Sequence, residues 1–178
     1  MTDNADLAAL IRAIPDYPKP GIIFRDVSTL LLDGPGFKAT IDRLAAMVPP
    51  DTSLIAGIEA RGFIVAAGLS YALGLGKLML RKPGKLPGEK IGTDYALEYG
   101  TDRIEMHLGQ VKPGQKILLV DDLIATGGTA MAGIELIRRG GGVVDTALFI
   151  VDLPDLGGAE KLCGAGIESR SLIAFDGD

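Results

Sequence analysis

Apolar residues along the chain switch between helical spacing and short continuous runs, and the switches mark the elements. Leu7, Leu10, Ile11 and Ile14 recur at i, i+3, i+4 and i+7, which predicts a helix stopped by Pro15 and Pro18. Residues 21–32 are mixed and read as extended. A second amphipathic helix is expected over 35–47, ended by Pro49 and Pro50. Residues 53–58 form a short apolar run that closes in the polar turn Glu59-Ala60-Arg61-Gly62. A helix over 63–73 and another short strand over 77–80 follow.

Residues 82–94, KPGKLPGEKIGTD, have no apolar period and hold two prolines and three glycines. They predict a long exposed loop, and long loops in compact domains commonly carry function. Residues 103–108 read as a strand, with a turn at Pro113-Gly114. Residues 117–120 are a fully apolar strand, followed by Asp121-Asp122, a Gly-rich turn and a helix over 129–139. Gly140-Gly141-Gly142 ends that helix, and 143–151 is a second buried strand. Continuous apolar strands alternating with helices predict an α/β fold, a mostly parallel twisted sheet flanked by helices on both faces. No repeat or linker interrupts the pattern, so one domain is expected over 1–178.

Composition sharpens this picture at a few points. A hydrophobic share of 47% and a charged share of 23% fit a packed core and exclude a disordered chain. The 25 glycines are scattered singly and in short clusters, which predicts many tight turns. A single cysteine, Cys163, excludes an internal disulfide framework and fits a reducing compartment. It is expected as a small packed side chain with no partner for nucleophilic catalysis. His107, the sole histidine, is expected in a structural or surface role. The N-terminus lacks the basic segment and apolar core of a secretory signal, and no stretch approaches the ~20 apolar residues of a membrane helix. The expected location is the cytoplasm.

Net charge is −5, which argues against general affinity for nucleic acid or anionic membrane. Its distribution is uneven. Residues 61–90 carry +5 through Arg61, Lys77, Arg81, Lys82, Lys85 and Lys90 against Glu89, leaving −10 for the rest. A basic window in an acidic protein suggests a local anion site; a solvated basic loop is the alternative.

The segment Ile117-Leu118-Leu119-Val120-Asp121-Asp122-Leu123-Ile124-Ala125-Thr126-Gly127-Gly128-Thr129 carries the most chemistry. A buried strand delivers adjacent carboxylates to the carboxyl edge of a sheet, where open α/β folds bind ligands. A Thr- and Gly-rich turn then opens a helix, so backbone N–H groups and the helix dipole can hold a phosphate. The carboxylates would repel that phosphate; they suit sugar hydroxyls, directly or through Mg2+. Neither a P-loop nor a complete dinucleotide fingerprint is present.

This segment resembles the phosphoribosyl-pyrophosphate loop of type I phosphoribosyltransferases. The resemblance implies that Asp121 and Asp122 face the ribose hydroxyls, and that Ala125, Thr126, Gly127, Gly128 and Thr129 bind the 5′-phosphate. Phe24-Arg25-Asp26, Glu59-Ala60-Arg61-Gly62-Phe63, Arg81-Lys82-Pro83-Gly84-Lys85-Leu86-Pro87-Gly88 and Tyr95-Ala96-Leu97-Glu98-Tyr99-Gly100 are similar to segments of adenine phosphoribosyltransferases, in that family's order. The similarity runs from about residue 15 to about residue 155.

What it implies is specific. Arg61, Arg81, Lys82 and Lys85 would hold pyrophosphate, and within 59–61 only the backbone and Arg61 should matter. Phe24 would stack on adenine, the backbone around Ile23 and Arg25 would read its edge, and Leu153 would form the apolar floor. Asp26 would hold that segment in shape. Glu98 matches the family's general acid/base, exchanging a proton with purine N7, and Tyr99 would close over the site. The implied architecture is the type I phosphoribosyltransferase fold with an N-terminal hood over about 1–33 and a mobile loop over about 82–100. The implied reaction joins adenine and 5-phosphoribosyl 1-pyrophosphate, giving AMP and pyrophosphate with Mg2+, in a homodimer, with no nucleic-acid or membrane partner.

Two rivals stay open on sequence. A 6-oxopurine enzyme, for xanthine or hypoxanthine, would share the Asp121–Thr129 loop but need contacts suited to a 6-oxo group. A regulator that senses the same phosphoribosyl compound while binding DNA would need a basic module, for which this acidic chain has no room.

Overall fold

The computed structural model describes residues 4–96 and 101–177. Strands β3 (Leu54–Ile58), β4 (Gly76–Leu80), β7 (Ile117–Ile124), β8 (Thr146–Asp152) and β9 (Glu168–Ala174) form a parallel sheet in the order β4-β3-β7-β8-β9. Helices α3 (Gly34–Ala45) and α4 (Gly62–Leu73) cover one face, and α5 (Gly128–Arg139) and α6 (Gly158–Gly164) the other. Alternation along β7 fills both cores: Ile117 and Leu119 join one apolar cluster, Leu118 and Val120 the other. Burial on both faces explains why the 117–120 and 147–151 runs are apolar without a break; the second strand starts at Thr146, later than the expected 143.

The predicted helices over 35–47 and 63–73 are α3 and α4, and the helix expected from 129 starts one residue earlier. Asp33 begins α3 by accepting the Gly36 N–H at 2.7 Å, with Pro35 in the first turn.

Three expectations change. The N-terminal helix is only α1 (Ala5–Ala8); residues Arg12–Pro15 are strand β1, paired antiparallel with β2 (Ile23–Asp26). Leu7 and Ile11 do share the buried side that their spacing suggested, but hairpin pairing claims Ile14. Within 21–32, the last residues form the short helix α2 (Ser28–Leu32) rather than extended chain. The 82–94 loop is extended only to 89, because β5 (Lys90–Ala96) pairs antiparallel with β6 (Thr101–His107). Thr93 and Tyr95 are buried, Ile91 packs on the same core, and Arg139 of α5 donates to the Gly92 carbonyl and Thr93 hydroxyl.

Cys163 also departs from expectation, lying exposed on α6 while its neighbour Leu162 takes the buried position. His107 meets its surface role, with Nε2 donating to the Pro87 carbonyl at 2.9 Å. Among the described residues no helix is long and apolar enough to cross a membrane.

Candidate active site

The sheet order contains one reversal. From β3 the chain passes through α4 to β4 on one side; from β7 it passes through α5 to β8 on the other. Because α4 and α5 lie on opposite faces, a crevice opens where the carboxyl ends of β3 and β7 separate, the usual ligand position in such sheets. A cavity of about 520 Å³ occupies that place. It is lined by the 58–61 turn, Lys82, Phe149 and the continuous segment 121–130.

Both helices of this crevice begin at the cavity. Gly127 sits at the start of α5 with φ +72°, and a side chain there would meet the Gly158 carbonyl oxygen at 3.0 Å. Gly62 opens α4, and a Cβ on it would lie 2.7 Å from Asp121 Oδ1. The close approach of the two helix starts to the acid pair therefore depends on Gly62, a residue sequence reasoning left without a role.

Asp122 is buried, and its Oδ2 lies 2.6 Å from Arg61 Nε without a formal hydrogen bond among the described residues. The Asp122 backbone N–H donates to Asp121 Oδ1 at 2.9 Å. Burial, reinforced by the Asp122 charge, pushes Asp121 well above the ordinary carboxylate range, with Arg61 opposing the shift. Such a pair resists carrying two negative charges and suits a ligand that brings hydroxyl donors or a cation.

The structure thus brings together Arg61, Lys82, Asp121, Asp122, Ala125, Thr126, Gly127, Gly128 and Thr129. Phe24 approaches from the hairpin, with the Arg61 guanidinium 6.0 Å from its ring centre and Tyr17 edge-on at 5.3 Å. Ile23, Phe24, Arg25, Arg81, Lys85 and Leu153 are not among the cavity's lining residues. Arg25 covers the Phe175 ring at 4.1 Å, Lys85 is exposed, and Leu153 belongs to the core cluster under α4. Glu98 and Tyr99 lie outside the described residues.

Glu59 overturns the expectation that only the backbone and Arg61 matter in its turn. Its carboxylate accepts from Arg81 Nε at 3.2 Å, Arg81 Nη2 at 3.1 Å and the Lys82 N–H at 2.8 Å. Hydrogen bonding to Arg81 lowers its pKa. Arg81 is therefore turned to Glu59, which ties the 59–62 turn to the start of the basic segment. The available signal was an acid directly beside a basic window.

Asp26 does hold the hairpin, as expected. It accepts from Ser28 Oγ and Arg12 Nη2, each at 2.5 Å, and from the Ser28 N–H at 3.0 Å. These bonds, Ser28's first, bring its pKa down to about 2.

A crevice with this acid pair and Gly-rich turn defines a class. The family model for the phosphoribosyl transferase domain matches residues 28–161. An adenine phosphoribosyltransferase of Erythrobacter litoralis is 57% identical over 173 residues, 97% of each chain. The crystal structure of the Thermoanaerobacter pseudethanolicus adenine phosphoribosyltransferase superposes with a TM-score of 0.91 at 45% identity, covering 96% of this chain and 99% of that one. The Saccharomyces cerevisiae enzyme, complexed with adenine and an imino-altritol bisphosphate, gives 0.86 at 32% identity, covering 95% and 97%. The chain belongs to the phosphoribosyltransferases and, within them, to the adenine phosphoribosyltransferase family.

Proposed function

We propose that the chain joins adenine to 5-phosphoribosyl 1-pyrophosphate, releasing AMP and pyrophosphate. The observation that carries this reading is the crevice itself, where an acid pair, a Gly-rich helix start and two basic side chains line one cavity. The backbone N–H groups of 125–129, leading into α5, take the 5′-phosphate. Asp121 and Asp122 take the ribose hydroxyls. Arg61 and Lys82 face the pyrophosphate, with Arg81 and Lys85 behind them. Phe24 stacks on the base, the Ile23 and Arg25 backbone reads its edge, and Leu153 lies across from it, all on the N-terminal hood of about 1–33 or at the end of β8.

In the reaction, the bond from C1′ to the pyrophosphate oxygen breaks and that oxygen keeps the electron pair. Adenine N9 forms the new bond to C1′ as Glu98 accepts the proton from N7. The role of Glu98, the closing role of Tyr99 and the exclusion of water by the 82–100 loop rest on the sequence match. Preorganised cations stabilise the leaving charge where it develops.

Mg2+ fits the carboxylate pair. Its hard-oxygen preference matches two adjacent carboxylates, of which buried Asp122 has only Arg61 against its Oδ2. No group of three or more candidate protein ligands occurs among the described residues, so the ion would be held mainly by substrate oxygens, with Asp121 and Asp122 reaching it through water. When bound, the ion neutralises phosphate charge.

The family resemblance implies a homodimer in the cytoplasm. The dimer is supported by α4, which is apolar around its circumference and leaves Ile64, Tyr71 and Leu73 exposed beside Met79 of the edge strand β4.

A base panel with Mg2+ and 5-phosphoribosyl 1-pyrophosphate, following AMP and pyrophosphate, tests the assignment. Adenine should exceed guanine, hypoxanthine and xanthine by at least about 100-fold, since a site that hydrogen-bonds one base leaves unpaired groups against another. Equal use of hypoxanthine overturns the adenine assignment.

A further inference from the structure

At the cavity edge Lys82 is tied to two groups that face no substrate, Tyr95 and Asp102. Lys82 Nζ donates to the Tyr95 hydroxyl at 2.8 Å and to Asp102 Oδ2, and the Tyr95 hydroxyl donates to the same Oδ2 at 2.9 Å. The triangle is closed, because each of the three groups touches the other two. Asp102 Oδ1 is held in turn by the Arg103 N–H at 2.7 Å, so the carboxylate is fixed to β6. Tyr95 is buried in the core shared with α5, which fixes its hydroxyl from the other strand of the hairpin.

Lys82 alone of the three lines the cavity, beside Arg61, Asp121 and Asp122. An ammonium has three donors, and here two are spent inside the protein. Desolvation opposes charge on both Lys82 and Asp102, and their hydrogen bonds outweigh it, holding Lys82 above and Asp102 below its usual value. A carboxylate so placed neutralises the cation that the substrate's pyrophosphate needs.

We propose that Asp102, steadied by Tyr95, is a positioning residue that acts as the internal counter-ion of Lys82, which the pyrophosphate group must displace on binding and which reclaims Lys82 on release. The proposal rests on the phosphoribosyl-transfer reading and deepens it. Asp102 touches no reacting atom; it acts through Lys82. The consequence is opposite to that of an ordinary structural ion pair. Removing the carboxylate frees a donor and a charge, so the anion binds more tightly, whereas damage to a scaffold would weaken binding.

The test is a double-mutant cycle on inorganic pyrophosphate binding to the full chain with Mg2+, read by titration calorimetry. Asp102→Asn, which keeps shape and one acceptor, should tighten binding about three- to fivefold, the scale of a half-exposed ion pair. Lys82→Ala should weaken binding, and in its background Asp102→Asn should change affinity by less than about 1.5-fold, because the competition no longer exists. Asp102→Glu, which restores the charge, should bring affinity back toward wild type. An unchanged or weaker Asp102→Asn, or a gain that survives undiminished without Lys82, overturns the counter-ion proposal while leaving the site reading intact. A wild-type chain that binds no pyrophosphate overturns the site reading, and the proposal with it.

Discussion

Asp26 shows how one carboxylate can carry both a segment's shape and a pH dependence. It joins Arg12 of β1 to the start of α2, just beyond the residue assigned to the base. Its folded pKa of about 2 lies below the 3.8 of an unperturbed carboxyl. A depressed carboxyl stabilises the fold above its unfolded pKa and loses that contribution as pH falls through its folded pKa. The loss therefore runs from about pH 4 to about pH 2, and its size is about 2 kcal/mol. Urea unfolding of wild type and Asp26→Asn should differ by about that amount at pH 7, with the gap closing by pH 2. A gap independent of pH would remove the ionised carboxylate from the explanation. At the same scale, Glu98→Gln keeps size and polarity but cannot take a proton. With both substrates varied, kcat should fall by about 10²–10⁴ and the adenine KM should move little. A kcat within about threefold of wild type would take Glu98 out of the mechanism.

At the scale of elements, the reach of the sequence follows the distance over which each pattern is written. The crevice loop is legible because strand, acids, turn and helix start occupy the consecutive residues 117–129. β7 and β8 are legible because both their faces are buried, which leaves a signal that needs no partner to read. β5 is less so: its alternation of Ile91, Thr93 and Tyr95 holds one polar member and is preceded by prolines and glycines, and only α5 reveals which side is inside. β9, Glu168–Ala174, has mixed polarity and pairs on one side only, at the sheet edge. The ion pairs around the cavity are the least legible. Glu59 and Arg81 stand 22 positions apart and Lys82 and Asp102 stand 20 apart, so their partnership belongs to the fold. The basic window that composition picks out as an anion site is, in the folded chain, already answered by Glu59, Asp102 and Glu105. Of its cations, Arg61 and Lys82 line the cavity, and each reaches it already paired, with Asp122 and with Asp102.

For the whole molecule, four of the exposed large apolar side chains, Ile64, Tyr71, Leu73 and Met79, belong to α4 and its neighbouring edge strand. α4 starts directly after the cavity-lining residues 58–61, so a contact on its outer side would brace that turn. Tyr71 is 91% exposed, and Ile64, Leu73 and Met79 are each about 40% exposed on the same helix and its neighbouring edge strand. Apolar groups this concentrated are costly to leave in water, and a second copy meeting them across a two-fold axis would cover the same patch on both chains. Sedimentation velocity at micromolar concentrations should therefore find two chains per particle. Tyr71→Glu places a charge on the most exposed of these side chains and, at 91% exposure in the single chain, costs its fold little. The variant should sediment as one chain, with far-ultraviolet circular dichroism unchanged. If Tyr71→Glu stays dimeric, the chains meet through another surface. If the wild type itself sediments as one chain, the apolar side of α4 has some other purpose and the crevice works without a partner.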